Sequence, residues 1–317
     1  MSNLNESTSK LSQRLMEQFA PVRTFLIVTP CVLFLYVNGV MIFTLRKKTV
    51  FQQTSRYILF GQMLWVDTLN LFMSVVMYVC AASGILIMKN VCLLILISAT
   101  YLYQVSTLNL ALMSLERYVA ICFPLRHAEI TSFERTRMAM GVVCILGMIQ
   151  PLSETIIFYC IDTTNIAMNL FCSRTTLFRL QIYNKLDIAF TCILFVLVSV
   201  VIIFTYASIA AVAKTAACDK LSAKKANKTV LLHLIQLGLG AISILFGVVQ
   251  EVIYVNADFV TAMNVMYVGF IVFLIFPKCL SPLIYGMRDQ TFSCLFVYYF
   301  TFGKGGTVKP AITEQHA

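Results

Sequence analysis

Long apolar blocks, each bracketed by charged residues, divide this chain into seven segments. The first lies between Arg23 and Arg46, the second runs from Tyr57 to about Ala82 with Asp67 inside it, and the third lies between Lys89 and Glu116. The fourth follows Arg137 and ends near Glu154 or one turn later, and the fifth extends from about Leu186 to Lys214. The sixth lies between Lys228 and Glu251, and the seventh between Asp258 and Arg288 with Lys278 inside it. A bilayer span takes about 20 apolar residues, a length that all but the fourth reach easily. Hydrocarbon leaves the edge of a strand unsatisfied, so each block is expected as a helix. The pattern predicts an all-α membrane protein, a seven-transmembrane helix bundle over residues 24–287 between an N-terminal tail (1–23) and a C-terminal tail (288–317).

Composition agrees with a lipid solvent. Of 317 residues 59% are hydrophobic and 12% charged, with mean hydropathy +0.84, whereas a soluble domain is roughly 45–50% apolar and about 25% charged. The net charge of +10 would suggest nucleic acid in a soluble protein. Placed between apolar blocks it reads as membrane orientation instead, because Lys and Arg are held on the cytoplasmic side; no nucleic-acid partner is expected. Arg46, Lys47, Lys48 and Arg56 follow the first block, Arg117, Arg126, Arg135 and Arg137 the third, and Lys214, Lys220, Lys224, Lys225 and Lys228 the fifth. The opposite side carries fewer: Lys10, Arg14 and Arg23, then Lys89, then Arg174, Arg179 and Lys185. The N-terminus is therefore expected outside and the C-terminus in the cytoplasm. That makes Asn5, in Asn5-Glu6-Ser7, a glycosylation site, while Asn227-Lys228-Thr229 should stay bare. The first twenty residues are polar, so the first helix is expected to direct insertion itself. No internal repeat marks a transporter architecture.

At the inner end of the third block stands Met113-Ser114-Leu115-Glu116-Arg117-Tyr118-Val119-Ala120-Ile121-Cys122, followed by Phe123-Pro124-Leu125-Arg126-His127. This string resembles the rhodopsin-like G protein-coupled receptors and, within them, the olfactory receptors, with Glu116 in place of their Asp. Asn38 beside Gly39, Asp67, Thr205-Tyr206-Ala207-Ser208-Ile209, Lys225-Ala226 with Thr229 and His233-Leu234, and Pro282-Leu283-Ile284-Tyr285 with Arg288 extend the likeness over roughly residues 38–288. Ser281 stands where Asn usually precedes the proline, Ala241 where the sixth helix usually has Trp, and the fourth helix lacks the family's Trp. The wording around Glu116 and Phe123 is most similar to fish-type odorant receptors.

The resemblance implies a multi-pass plasma-membrane receptor, in sensory neuron cilia, that binds a small odorant within the bundle and activates a heterotrimeric G protein that stimulates adenylyl cyclase. The partners implied are that odorant, the G protein and the lipid bilayer; neither enzymatic activity nor a cofactor is expected. Coupling and switching are assigned to Glu116, Arg117, Tyr118, Tyr206 and Tyr285, with Glu116 holding Arg117 at rest. Aligned ligand positions are Ala99, Thr100, Tyr103, Gln104 and Thr107 on the third helix, Phe190, Thr191 and Leu194 on the fifth, Ile244, Leu245 and Val248 on the sixth, and Tyr267, Ile271 and Leu274 on the seventh. This mix suits a small, mostly apolar molecule with one or two hydrogen-bonding groups. Ala99 replaces the aspartate by which amine-hormone receptors hold their ligand. Cys92 and Cys172 correspond to the family's loop-clamping disulfide, and pairing of Cys160 with Cys192 or Cys80 is left open. Cys294 reads as a buried thiol or a palmitoylation site.

Two other readings use the intramembrane charges. Asp67 and Lys278 invite an ion path, against which the Glu116 motif and the absence of repeats argue. Lys278 also invites a retinal photoreceptor, but it lies four residues before Pro282, one turn away from the opsin lysine. The expectation instead is a polar core of Asp67, Ser106 and Lys278 in which the ammonium pairs with Asp67 in place of a sodium ion. Asp187 and Glu251, without an obvious basic neighbour, are expected as entrance charges that favour polar or cationic odorants, or as solvated loop charges.

Overall fold

Among the described residues, five helices are long and apolar enough to cross a membrane: Pro21–Lys47, Ser55–Ala82, Lys89–Cys122, Phe133–Ile161 and Gln181–Val212. The structure, a computed structural model, describes residues 2–161, 169–215 and 290–301, together with 235, 238–239, 242, 253, 264–265, 267–276, 280 and 283. In chain order the elements are α1 (Ser2–Lys47), α2 (Thr49–Gln53), α3 (Ser55–Ala82), β1 (Ile87–Met88), α4 (Lys89–Cys122), a 3-10 turn (Pro124–Arg126), α5 (His127–Ile130), α6 (Phe133–Gly147), α7 (Ile149–Ile161), β2 (Asn169–Leu170), α8 (Arg174–Leu177), α9 (Gln181–Thr215), a π-helical turn (Phe270–Ile275) and α10 (Gln290–Phe300). No more than 44% of any of the five spans is buried by the protein itself. Their outer faces present Leu94, Ile145, Ile193, Val200 and Ile203, an apolar surface far beyond what a soluble chain leaves exposed.

Three boundaries differ from expectation. The helix of the first block begins at Ser2, so the expected tail, including the backbone at Asn5, continues α1. The fourth span runs to Ile161, beyond the expected end at Glu154 or one turn later. It is built from α6 and α7, because the ring of Pro151 removes an N–H and clashes with the carbonyl four residues back, at Gly147, where α6 ends. Finally, the expected C-terminal tail opens with α10, which packs on α1.

α4 is the central post, touching α3, α6, α7 and α9. At its Arg117 end, Met41, Phe51, Phe60, Met63, Leu64 and Met113 form a core closed by Phe292 and Phe296 of α10. Phe292, Phe296 and Phe300 share one face of α10, spaced four residues apart, and the first two rings are stacked with centroids 6.4 Å apart. Cys294 faces away and is exposed, not buried. At the other end, β1 and β2 pair antiparallel, Ile87 opposite Leu170 and Met88 opposite Asn169, and Cys92 is bonded to Cys172. Cys80, Cys160 and Cys192 are all free thiols.

α6 approaches α4 closely at Gly147. A Cβ added at Gly147 would lie 2.8 Å from Cγ2 of Val105, a β-branched side chain with little rotamer freedom. Gly147→Ala is therefore expected to destabilise the bundle by about 1–3 kcal/mol, read as a lower melting temperature in detergent. Val105→Ala in the same chain should return part of the loss.

Candidate functional site

The helical end of α4 carries the first charged cluster. Glu116 and Arg117 are buried to 6% and 10% side-chain exposure, and Arg117 Nε lies 3.1 Å from Glu116 Oε2 in an ion pair. Unforeseen in the sequence reading, His127 of α5 also reaches this carboxylate, its Nε2 3.3 Å from Oε1. Tyr118 packs edge-on against Phe123 and tilted against Phe204. Ser114 and Thr205 are joined through their hydroxyls at 2.5 Å, tying α4 to α9. Because Thr205 takes the inward position, Tyr206 is turned a third of the way round the helix and is 41% exposed; the structure does not bring it to Arg117. Tyr285 lies outside the described residues.

Midway along the bundle, Asp67 is buried and accepts a hydrogen bond from Ser106 Oγ at 2.6 Å. Lys278, expected beside it, lies outside the described residues.

A second charged cluster sits at the disulfide end, and sequence reasoning had not assembled it. Gln150 and Glu154 stand four residues apart on α7, both turned inward, with 2% and 0% exposure. Arg174 opens α8, two residues beyond disulfide-bonded Cys172. Its start is fixed by a reciprocal cap in which Ser173 and Thr176 bond each other's backbone N–H. The guanidinium forks onto Glu154, Nη2 to Oε1 at 2.6 Å and Nη1 to Oε2 at 3.4 Å. The same Nη2 lies 3.0 Å from Asp187 Oδ1 on α9, and Phe178 stacks under the group at 5.3 Å. Gln150 Nε2 donates to both acids, to Glu154 Oε1 at 2.9 Å and Asp187 Oδ1 at 2.7 Å. Gln150 Oε1 accepts from Gln104 of α4, and Arg174 Nη1 meets Thr100 Oγ1 at 3.5 Å. One arginine from a loop thus joins α4, α7 and α9.

The expectation for Asp187 is corrected in one respect: it has a basic neighbour, because Arg174 folds back to 3.0 Å from its Oδ1. Glu251 lies outside the described residues. Of the expected pocket positions, Thr100 and Gln104 belong to the cluster, and Tyr103 follows one turn along from Thr100 with a buried hydroxyl that has no hydrogen-bond partner among the described residues. Ala99 is half-buried. Thr107 is buried and returns its hydroxyl to the Tyr103 carbonyl at 2.9 Å. Phe190 and Thr191 lie one turn from Asp187 on α9, whereas Leu194 packs with Val105, Leu108, Ala111 and Val198 as helix core. Tyr267 and Ile271 pack toward Ile27, Cys31 and Leu71 of α1 and α3, away from these groups. Ile244, Leu245 and Val248, and the side chain of Leu274, lie outside the described residues.

A buried acid-arginine pair at one end of a long helix, a disulfide-bonded loop at the other and apolar faces between them form the plan of a signalling bundle. The sequence matches the family described as 7 transmembrane receptor (rhodopsin family) over residues 9–285. The chain belongs to that family. It is 35% identical over 268 residues to Odorant receptor 131-2 of Danio rerio, covering 84% of this chain and 82% of that one. It is also 29% identical over 189 residues to Olfactory receptor 10AC1 of Homo sapiens, covering 57% and 56%. The receptor is thus a seven-helix membrane protein and a signalling molecule, not an enzyme.

Glu154 had a legible signal in this receptor: the apolar run Ile156-Ile157-Phe158-Tyr159-Cys160-Ile161 continues the span past it, which places the carboxylate within the membrane. Removing one partner of a buried pair costs about 3–5 kcal/mol. Glu154→Leu and Arg174→Met should each lower surface level and melting temperature by that order, and the double variant should recover part of the loss. Strictly additive losses in the double-mutant cycle would show the pair to be energetically silent.

Proposed function

We propose that this receptor senses odorants: a small organic molecule binds within the bundle and the receptor activates a heterotrimeric G protein, stimulating adenylyl cyclase. The single observation that carries the reading is the likeness, over most of both chains, to a protein named as an odorant receptor. The receptor is a multi-pass plasma-membrane protein. We place the disulfide end outside, where disulfides persist, and the Arg117 end in the cytoplasm, in keeping with the Lys and Arg of the loops on that side. Asn5 is then an extracellular acceptor for glycosylation.

A ligand moves such a receptor only through its difference in affinity for two states. Arg117, held by a carboxylate that His127 also engages, is the group to be released on activation. Tyr206 and Tyr285 are its proposed partners once the sixth helix moves. Arg117→Ala should reach the surface yet give no cyclic AMP response. Glu116→Gln should raise basal cyclic AMP, and His127→Phe should raise it less. Normal signalling by Arg117→Ala would overturn the coupling role.

For the polar core we propose that Lys278 pairs with Asp67. Support comes from the burial of Asp67 and from the cost of a lone lysine in a bundle. Lys278→Met and Asp67→Asn should each impair signalling, the double variant recovering part, and cyclic AMP responses should be insensitive to external sodium.

A further inference from the structure

The cluster around Arg174 is asymmetric in what it leaves open. Glu154 is fully buried with both oxygens engaged, and each Nη of Arg174 faces a carboxylate. Asp187 is different: Oδ1 takes Arg174 and Gln150, while Oδ2 accepts no hydrogen bond among the described residues, and the side chain is 26% exposed. The hydrogen-bonded set contains two carboxylates against one guanidinium.

A second observation points the same way. Tyr103, on the face of α4 that Thr100 presents to Arg174, keeps its hydroxyl buried without a partner among the described residues, and Thr100 and Gln104 on either side of it both join the cluster that holds Asp187. A buried hydroxyl without a hydrogen bond is costly, and one on the helix face that meets a half-open carboxylate's cluster describes a place for a donor. Beyond Asp187, at three and four residues along α9, stand Phe190 and Thr191, the first half-buried and the second buried.

We propose that Asp187 is the polar anchor of the odorant pocket and receives the ammonium of a small organic amine, with Tyr103 accepting a second N–H and Phe190 lining the course of the carbon skeleton. The inference rests on the odorant-receptor reading and narrows its ligand class. Arg174 serves as a positioning residue: together with Gln150 it fixes Oδ1 and so aims Oδ2. An anionic odorant would meet a guanidinium already committed to two acids and a carboxylate edge that repels it. The third-helix aspartate that would otherwise hold an amine is absent, Ala99 standing there, and the anchor has moved to the fifth helix.

The test is a panel of small primary amines with linear, branched, cyclic and aromatic skeletons, each beside the alcohol and the carboxylic acid of the same skeleton. Cyclic AMP is read in cells with surface receptor quantified. In the unsubstituted receptor the amines should be the agonists, and Asp187→Asn should raise their half-maximal concentration about ten- to hundredfold, the worth of a charge-assisted hydrogen bond. Tyr103→Phe should weaken them less, with surface level unchanged. Equal potency of alcohols or acids on the same skeletons overturns the anchor without needing any variant to fold, as does amine potency unmoved in Asp187→Asn. A panel without an agonist overturns it too. In that case raised basal cyclic AMP from Glu116→Gln leaves G protein coupling standing, and its absence takes the coupling reading down as well.

Discussion

Lipid offers no hydrogen bond, so every charge that enters the bundle must be met by a group of the protein. That constraint organises the molecule more than any apolar contact does. The helices meet hydrocarbon on their outer faces and one another within, and apolar packing alone discriminates poorly between those two surroundings. The polar groups discriminate sharply. Glu116 needs Arg117 and His127; Asp67 takes Ser106; Glu154 and Asp187 take Arg174 and Gln150. The second and third sets tie helices that are distant in the chain, and together they set the register of α3, α7 and α9 against α4.

Much of this was readable from the chain. Blocks of apolar residues give spans because the bilayer imposes a length, and Glu116-Arg117-Tyr118 announced itself because neighbouring residues carry the motif. Harder to read were groups whose partners lie far off in sequence. Arg174 looks like one more loop cation, and nothing local says that the chain after Cys172 turns back into the bundle. Glu154 drew the expected end of the fourth span to itself or one turn later, short of Ile161, because a charge normally marks an end. Gln150 gave no signal by itself; only its spacing from Glu154 was informative, and then only once both were known to face inward. Phe292, Phe296 and Phe300 carried a helical spacing that a tail would not need, and the amphipathic α10 was legible there.

The candidate site divides along the same line. Thr100 and Gln104 come from a helix whose phase is set by its inward polar face, and they meet Asp187 of α9 through Arg174 and Gln150. Tyr267 and Ile271 share the family's alignment but pack toward α1 and α3, so alignment to a position does not determine what that position faces. Helix rotation does, and rotation is set by long-range packing.

The loop that bears Arg174 also bears on how the protein is made. Glu154 leaves the ribosome twenty residues before Arg174, so during synthesis a carboxylate enters the membrane before its counter-ion exists. Its charge is met once the loop lies back on the bundle, where the Ser173 cap and the Cys92–Cys172 bond hold it. One short loop thus carries both a covalent tether and the counter-ion of a buried acid, so loosening the tether weakens the hold on the charge.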